Sequence, residues 1–201
     1  MRAVCENVAY RAVVIGASAG GLAAMETVLT KLKPGFCLPV LLVQHISPNV
    51  ESYLAAHFSK RSSLKVKEGE DKEPIRRGEL YIAPPNYHML VEVDGSIALS
   101  IDAPVNYSRP SIDVLFESAS DYYGHQLIGI VLTGANSDGA LGLKKIKQRG
   151  GLAVVQSVET AEATAMPQAA IDAVDVDHVI SLEDIGDFLN SVCECKNDTA
   201  S

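Results

Sequence analysis

Three residues of the types that perform nucleophilic hydrolysis each follow a short apolar run. Ser18 follows Val13-Val14-Ile15 within Gly16-Ala17-Ser18-Ala19-Gly20. Such a G-x-S-x-G segment can hold a serine on a sharp strand-to-helix turn, with its hydroxyl pushed out of the sheet. Its glycines keep the turn open to an approaching carbonyl, which bulkier side chains would block. His45 follows Val40-Leu41-Leu42-Val43-Gln44, and Asp138 lies in Thr133-Gly134-Ala135-Asn136-Ser137-Asp138-Gly139, after the run 127–132. A serine hydroxyl is hardly ionised near neutral pH and needs a base. Imidazole titrates in the right range. A carboxylate on its other ring nitrogen fixes the tautomer and stabilises the imidazolium.

Each residue also has a plainer role open to it. Ser18 is a good N-cap for the helix that follows. His45 can be a satisfied strand-end histidine, and Asp138 an N-cap for residues 139–148. What separates the readings is whether the fold brings the three together.

The elements that would position them alternate. Residues 11–16 read as a buried strand and 20–32 as a helix, with Leu22, Met25, Val28, Leu29 and Leu32 on one face. Pro34-Gly35 ends that helix. Residues 40–43 read as a second strand and 50–60 as a helix. The middle, 64–110, is rich in Pro, Gly and charge. Within it Met89–Val93 and Ser96–Ser100 flank Asp94-Gly95, an antiparallel β-hairpin signal. The rhythm then resumes: helix 111–121, strand 127–132, helix 138–148, strand 152–155, and helices 166–174 and 182–192. Residues 196–201 read as a disordered tail.

This order predicts an α/β fold: a Rossmann-like, doubly wound, mostly parallel sheet with helices on both faces and an antiparallel hairpin. The expected boundaries are an N-terminal extension over 1–10, one catalytic domain over 11–192 and a C-terminal tail over 193–201. In such a sheet the carboxyl ends of the strands share one edge, where ligands bind. Ser18, His45 and Asp138 all fall on that edge, which favours the catalytic reading over three separate plain ones. The other histidines, His57, His88, His125 and His178, read as structural or solvent-exposed.

Composition narrows the class. The chain has 201 residues, 47% hydrophobic and 21% charged, enough to bury a continuous core. A formal net charge of -8 and the lack of a basic face argue against nucleic acid as a partner. Lys144-Lys145-Ile146-Lys147 and Arg76-Arg77 read as solvated surface. Cys5, Cys37, Cys193 and Cys195 form no C-x-x-C and have no histidine at ligand spacing, so they read as reduced thiols of a cytoplasmic protein. There is no basic-then-apolar leader. No apolar run nears the roughly 20 residues that span a bilayer, so membrane insertion is not expected. No heptad seam is present, which points to a monomer.

A glycine-rich turn opening a helix also attracts anions. However, Gly16-x-Ser18-x-x-Gly21 has serine where the dinucleotide fingerprint has its middle glycine. The second strand ends in Gln44-His45 rather than an acid. No cofactor and no metal is expected.

Several blocks in order carry a more specific signal. They are Ile15–Gly21, Val43-Gln44-His45-Ile46, Gly78–Pro85, Arg109-Pro110-Ser111-Ile112-Asp113-Val114-Leu115-Phe116, Leu132-Thr133-Gly134 through Asp138-Gly139-Ala140, and Ala165-Met166-Pro167. From Val13 to Leu189 the chain resembles the catalytic domain of the chemotaxis protein-glutamate methylesterase family. The resemblance implies Ser18 as nucleophile, His45 as base and Asp138 as its carboxylate. The backbone N–H of Ala19, beside the nucleophile, is one oxyanion-hole donor on physical grounds, and the family pattern points to that of Ala135 as another.

The implied reaction is hydrolysis of glutamate γ-methyl esters on the methylated cytoplasmic helices of chemoreceptors, with release of methanol. Deamidation of receptor glutamines is a side activity, and no metal is needed. Ala19 stands where many relatives have threonine, and Ala135-Asn136 replaces a common Met-Gly. About ten residues precede the first strand, where the family's receiver domain usually lies. Phosphorylation control within these residues is therefore not expected; a stand-alone enzyme, a piece of a longer protein and one part of another arrangement all stay open, with a separate regulatory protein among the candidate partners. Two other readings stay open: a non-catalytic signalling or interaction module of the same fold, and an esterase with a substrate outside chemotaxis.

Overall fold

The computed structural model describes residues 10–45 and 53–193. Along them run β1 (Ala12–Ala17), α1 (Gly21–Lys31), β2 (Val40–Gln44), α2 (Leu54–Ser59), β3 (Lys65–Glu68), β4 (Glu79–Ile82), β5 (His88–Val91) and β6 (Ile97–Ser100). They are followed by α3 (Ile112–Tyr123), β7 (Leu127–Val131), α4 (Ala140–Gln148), β8 (Leu152–Gln156), α5 (Ala165–Ala173), β9 (His178–Ile180) and α6 (Leu182–Cys193). Seven strands form one sheet in the order β3-β4-β2-β1-β7-β8-β9, and every pairing in it is parallel. Strands β5 and β6 make a separate antiparallel pair. The α/β architecture with its hairpin is as expected.

The central strand shows why the sheet is covered on both faces. All six residues of β1 are buried. Successive side chains of a strand point to opposite faces. Ala12 and Val14 join the core with Phe116, Leu143, Met166 and the hairpin residues Met89 and Ile97. Val13, Ile15 and Ala17 join the other core with Met25, Val28, Ile185 and Leu189. A continuous apolar run is what a strand buried on both faces requires.

Three strands were not expected. Edge strand β3, Lys65-Val66-Lys67-Glu68, is mostly charged, which suits an edge that must not pair with another chain. Lys67 there pairs with Glu73 at 2.7 Å. Strand β4 sits inside the charged segment but pairs with β2 and is wholly buried. Strand β9 is a three-residue edge. Helix α2 begins at Leu54, and positions 50–52 of the expected helix lie outside the described residues, as do the tail after 193, the extension before Tyr10, and Cys5 and Cys195.

Candidate active site

Strand order places the three candidate residues side by side. The sheet runs β2-β1-β7, so the carboxyl ends carrying His45, Ser18 and the Asp138 loop are consecutive. Chain direction across the sheet reverses between β1 and β7, the kind of switch point where a crevice opens. Ala17 is in register with Gln44, and the ladder continues as the His45 N–H donates to the Ala17 carbonyl at 3.0 Å. On the other side the Ser18 N–H donates to the Thr133 carbonyl at 3.0 Å. The nucleophile candidate is thus pinned through its backbone to both neighbours.

His45 Nε2 lies 2.9 Å from Asp138 Oδ2. The His45 side chain is 12% exposed and that of Asp138 is fully buried. Neighbouring strands are about 4.8 Å apart, so β2 and β7 are roughly 10 Å apart with β1 between them. The imidazole therefore crosses over the end of β1, and its far nitrogen meets Asp138. This leaves Nδ1, the nitrogen nearer its own backbone, as the one that Asp138 does not engage. Asp138 thus faces Nε2, whereas in the chymotrypsin arrangement the aspartate holds Nδ1. The Ser18 hydroxyl makes no hydrogen bond among the described residues, so the structure joins His45 to Asp138 and leaves Ser18 adjacent and half-buried. Such a contact is often loose before substrate binds.

The plain roles do not account for these residues. The N-cap of α1 is Gly20, at φ 75, with no side-chain cap bond, so Ser18 does not cap that helix. Only glycine reaches such a φ at little cost. The N-cap of α4 is Gly139, at φ 95, so Asp138 does not cap its own helix either. Its carboxylate caps α3 instead. Oδ2 accepts the Ile112 N–H at 2.7 Å, and Oδ1 accepts the Asp113 N–H at 3.1 Å, the Ser111 hydroxyl at 2.9 Å and the Asn106 amide at 3.1 Å. Burial pushes the Asp138 carboxyl up, but His45 and these donors outweigh it and hold it below the ordinary aspartate range.

A second carboxylate lies behind the first. Asp113, buried on α3, accepts the N–H groups of Gly139 and Gly142 at 2.9 and 2.7 Å, which caps α4. The same Asn106 amide nitrogen that reaches Asp138 donates to Asp113 Oδ2 at 2.8 Å. Burial, with the nearby Asp138 charge adding to it, pushes the Asp113 carboxyl up to about 6. Asn106 and Tyr107 both have positive φ, 51 and 62, so the loop carrying this bridge is backbone-strained.

Other supports were also invisible in the sequence reading. The Gln44 amide donates to the carbonyls of Ser18 at 2.8 Å and His45 at 3.0 Å, which ties the serine turn to the histidine. Thr133 Oγ1 donates to the Ala19 carbonyl at 2.9 Å and accepts the Ala163 N–H at 2.8 Å. His88 is structural, as expected, and buried. Its Nδ1 accepts the Ser111 N–H at 3.1 Å and its Nε2 faces the Ala103 carbonyl at 3.1 Å, a pairing that requires the neutral ring. Among the described residues the N–H groups of Ala19 and Ala135 donate no hydrogen bond, and both residues are exposed. Asn136 closes the turn into Asp138 by accepting its N–H at 3.1 Å. Among the described residues no cluster of three or more His, Cys, Asp or Glu is placed to hold a metal, and no helix is long and apolar enough to cross a membrane.

Comparison with known proteins shows the family. The family model for CheB methylesterase matches residues 13–189. A relative from Leptospira interrogans is 54% identical over 179 residues, covering 89% of this chain and 93% of its own length. Proteins named protein-glutamate methylesterase/protein-glutamine glutaminase from Carboxydothermus hydrogenoformans and Archaeoglobus fulgidus are 40% and 39% identical. The matches cover 87% and 80% of this chain, which spans about half the length of those two relatives, 53% and 47%. The crystal structure of the Thermotoga maritima CheB methylesterase catalytic domain superposes with a TM-score of 0.87 at 31% identity, covering 92% of this chain and all of that one.

Proposed function

The chain belongs to the CheB methylesterase family, and on that premise we propose that it hydrolyses glutamate γ-methyl esters of chemoreceptors through Ser18, His45 and Asp138. The observation that carries this reading is the 2.9 Å bond from His45 to Asp138, formed across the strand end that bears Ser18. Receptor glutamines are the second substrate class, since an amide carbonyl presents the same acyl centre to the same nucleophile. The methylated sites lie on the cytoplasmic helices of the receptors, and the enzyme works in the cytoplasm.

In this mechanism the neutral His45 carries its proton on Nε2, toward Asp138, and its Nδ1 lone pair takes the Ser18 proton. Ser18 Oγ attacks the ester carbonyl, and the tetrahedral oxyanion turns toward the N–H groups of Ala19 and Ala135. One such donor is worth about 2.7–4 kcal/mol in a known hydrolase. The imidazolium, stabilised by Asp138, then gives its proton to the leaving methoxide. Water repeats the sequence on the acyl-enzyme and regenerates Ser18. Ala19 and Ala135 act through their backbones, so their departures from the family's usual side chains leave both donors in place.

The test is methanol release from methylated receptor membranes by wild type, Ser18→Ala and His45→Ala. Release by wild type alone, with all three proteins folded, is the expected result. No release by wild type, or release retained in Ser18→Ala, would overturn the reading and bring a non-catalytic role or another substrate forward.

A further inference from the structure

Away from the active site, the last turn of α6 meets the loop between α1 and β2, and two cysteines face each other there. Cys37 Sγ and Cys193 Sγ are 2.9 Å apart and unbonded. The Cys37 N–H also points at Cys193 Sγ at 3.5 Å. A guanidinium completes the group: Arg77 donates through Nη2 to Cys37 Sγ at 2.9 Å and through Nε to the Cys37 carbonyl at 3.2 Å. Neither cysteine is fully buried.

The meeting is fixed from both elements. Asn190, one turn before Cys193 on α6, donates to the Lys31 carbonyl at 2.8 Å and accepts the Lys33 N–H at 3.0 Å. Gly186 lets α6 approach α1 so closely that a Cβ there would stand 2.7 Å from Lys31 Cβ. The sulfurs are thus held in place by the helix packing and need no loop rearrangement to meet.

We propose that Cys37 and Cys193 are a thiol-oxidation site that takes a hydroperoxide and closes to a disulfide, with Cys37 attacking and Cys193 resolving. The two thiols differ in the direction this requires. Burial pushes Cys37 up, but the Cys193 contact and the Arg77 guanidinium outweigh it and leave it below the ordinary thiol value. Burial and the Cys37 contact push Cys193 up. Thiolate beside a cation, partly exposed and next to a second cysteine, is the setting in which sulfenic acid forms and is resolved.

The steps balance. The Cys37 thiolate attacks the outer oxygen of the hydroperoxide, the O–O bond breaks, and the alcohol (water, from hydrogen peroxide) leaves after protonation. Cys37 becomes a sulfenic acid, oxidised by two electrons. Cys193 loses its proton to solvent and attacks that sulfur, and the hydroxide released leaves as water. A small dithiol reverses the change. The bond would staple the end of α6 to the segment between α1 and β2, joining residues far apart in the chain and stabilising the fold.

The full chain, reduced and then treated with hydrogen peroxide, is digested with trypsin without reductant. Peptide 32–60 is expected linked to peptide 150–196. The latter also contains Cys195, so the link must vanish in Cys193→Ser and persist in Cys195→Ser, both checked for folding by circular dichroism. Arg77→Ala should slow Cys37 oxidation about threefold or more, because less thiolate is present. The unfolding midpoint should rise in the oxidised chain and return with dithiothreitol. Absence of the link in wild type, its survival in Cys193→Ser, or an unchanged rate in Arg77→Ala would overturn the proposal.

Discussion

Asp113 and Asp138 cap each other's helices. The Asp138 carboxylate takes the first N–H groups of α3, the helix that carries Asp113, and the Asp113 carboxylate takes those of α4, the helix that follows Asp138. Asn106 bridges the two acids through one amide nitrogen. A carboxylate at a helix N-terminus is favoured both by the free N–H groups and by the dipole. The acid that faces His45 is therefore also a structural member of the helix layer.

Ser18 and Asp138 should separate chemistry from stability. The Ser18 hydroxyl caps nothing, so Ser18→Ala should change the unfolding free energy by less than about 0.5 kcal/mol while methanol release falls at least about a thousandfold. Asp138→Asn should do both kinds of damage. Each Asp138 oxygen faces a backbone N–H, from Ile112 or Asp113, so an amide nitrogen placed on either side meets a donor. A loss of about 1–3 kcal/mol in urea denaturation is expected beside the loss of activity.

Asp113 predicts a slope in stability against pH. Its carboxyl stands at about 6 in the fold, against an ordinary value of 3.8. Between those values the folded state binds more protons than the unfolded one, so this residue's contribution to stability falls as pH rises from 3.8 to about 6. Asp138, held low, works in the opposite sense, and its contribution is lost as pH falls through its lowered value. In Asp113→Asn the amide nitrogen faces that of Asn106, which lowers stability at all pH values. The fall specific to the window between about 4 and 6 should nevertheless disappear. Urea midpoints measured from pH 3.5 to 7 check this. An unchanged slope would assign the window to other groups.

Gln44 should matter to turnover more than to binding. Gln44→Ala removes the link between the Ser18 and His45 carbonyls. A drop in kcat of about tenfold with little change in KM is expected for a lost alignment, since small misplacements can cost up to about a hundredfold. Steady-state kinetics on methylated receptor membranes measures the split.

Gly20→Ala should disturb the serine turn. The residue sits at φ 75, and an added Cβ would lie 2.7 Å from Glu162 Cβ. A cost of about 1–2 kcal/mol for the left-handed backbone is expected, with further loss from the contact. Thermal unfolding and methanol release should both fall, in contrast to Ser18→Ala.

How much of this was legible depends on where the information lies. Val13-Val14-Ile15 and Leu127–Leu132 are short apolar runs, rich in β-branched residues, of the kind a strand buried on both faces requires, so the sheet and its carboxyl edge could be read from them. The expectation that Ser18, His45 and Asp138 meet came from that edge, and the structure joins His45 to Asp138 there. Strand β3 could not be read so, because Lys65-Val66-Lys67-Glu68 owes its strand state to pairing with β4 and not to its own composition. The cradle of Asp138 was equally hidden. Asn106, Ser111 and Asp113 belong to another part of the chain, and their roles exist only once α3 docks on α4. The block Arg109–Phe116 stood out as a family marker, but nothing local told that Asp113 faces inward to cap a different helix. Gln44 read simply as the end of a strand.

The mutual capping also bears on how the enzyme fails. In many proteins a functional site sits on a loop that opens long before the whole molecule does. Here the acid behind His45 cannot be freed without undocking the start of α3, and α3 rests on the central strand β1. Loss of activity under heat or denaturant should therefore coincide with cooperative unfolding of the domain, and partly opened yet inactive native forms should be scarce. The same coupling makes catalytic competence a reporter of folding: a refolding chain gains turnover only once α3 and α4 have docked on each other.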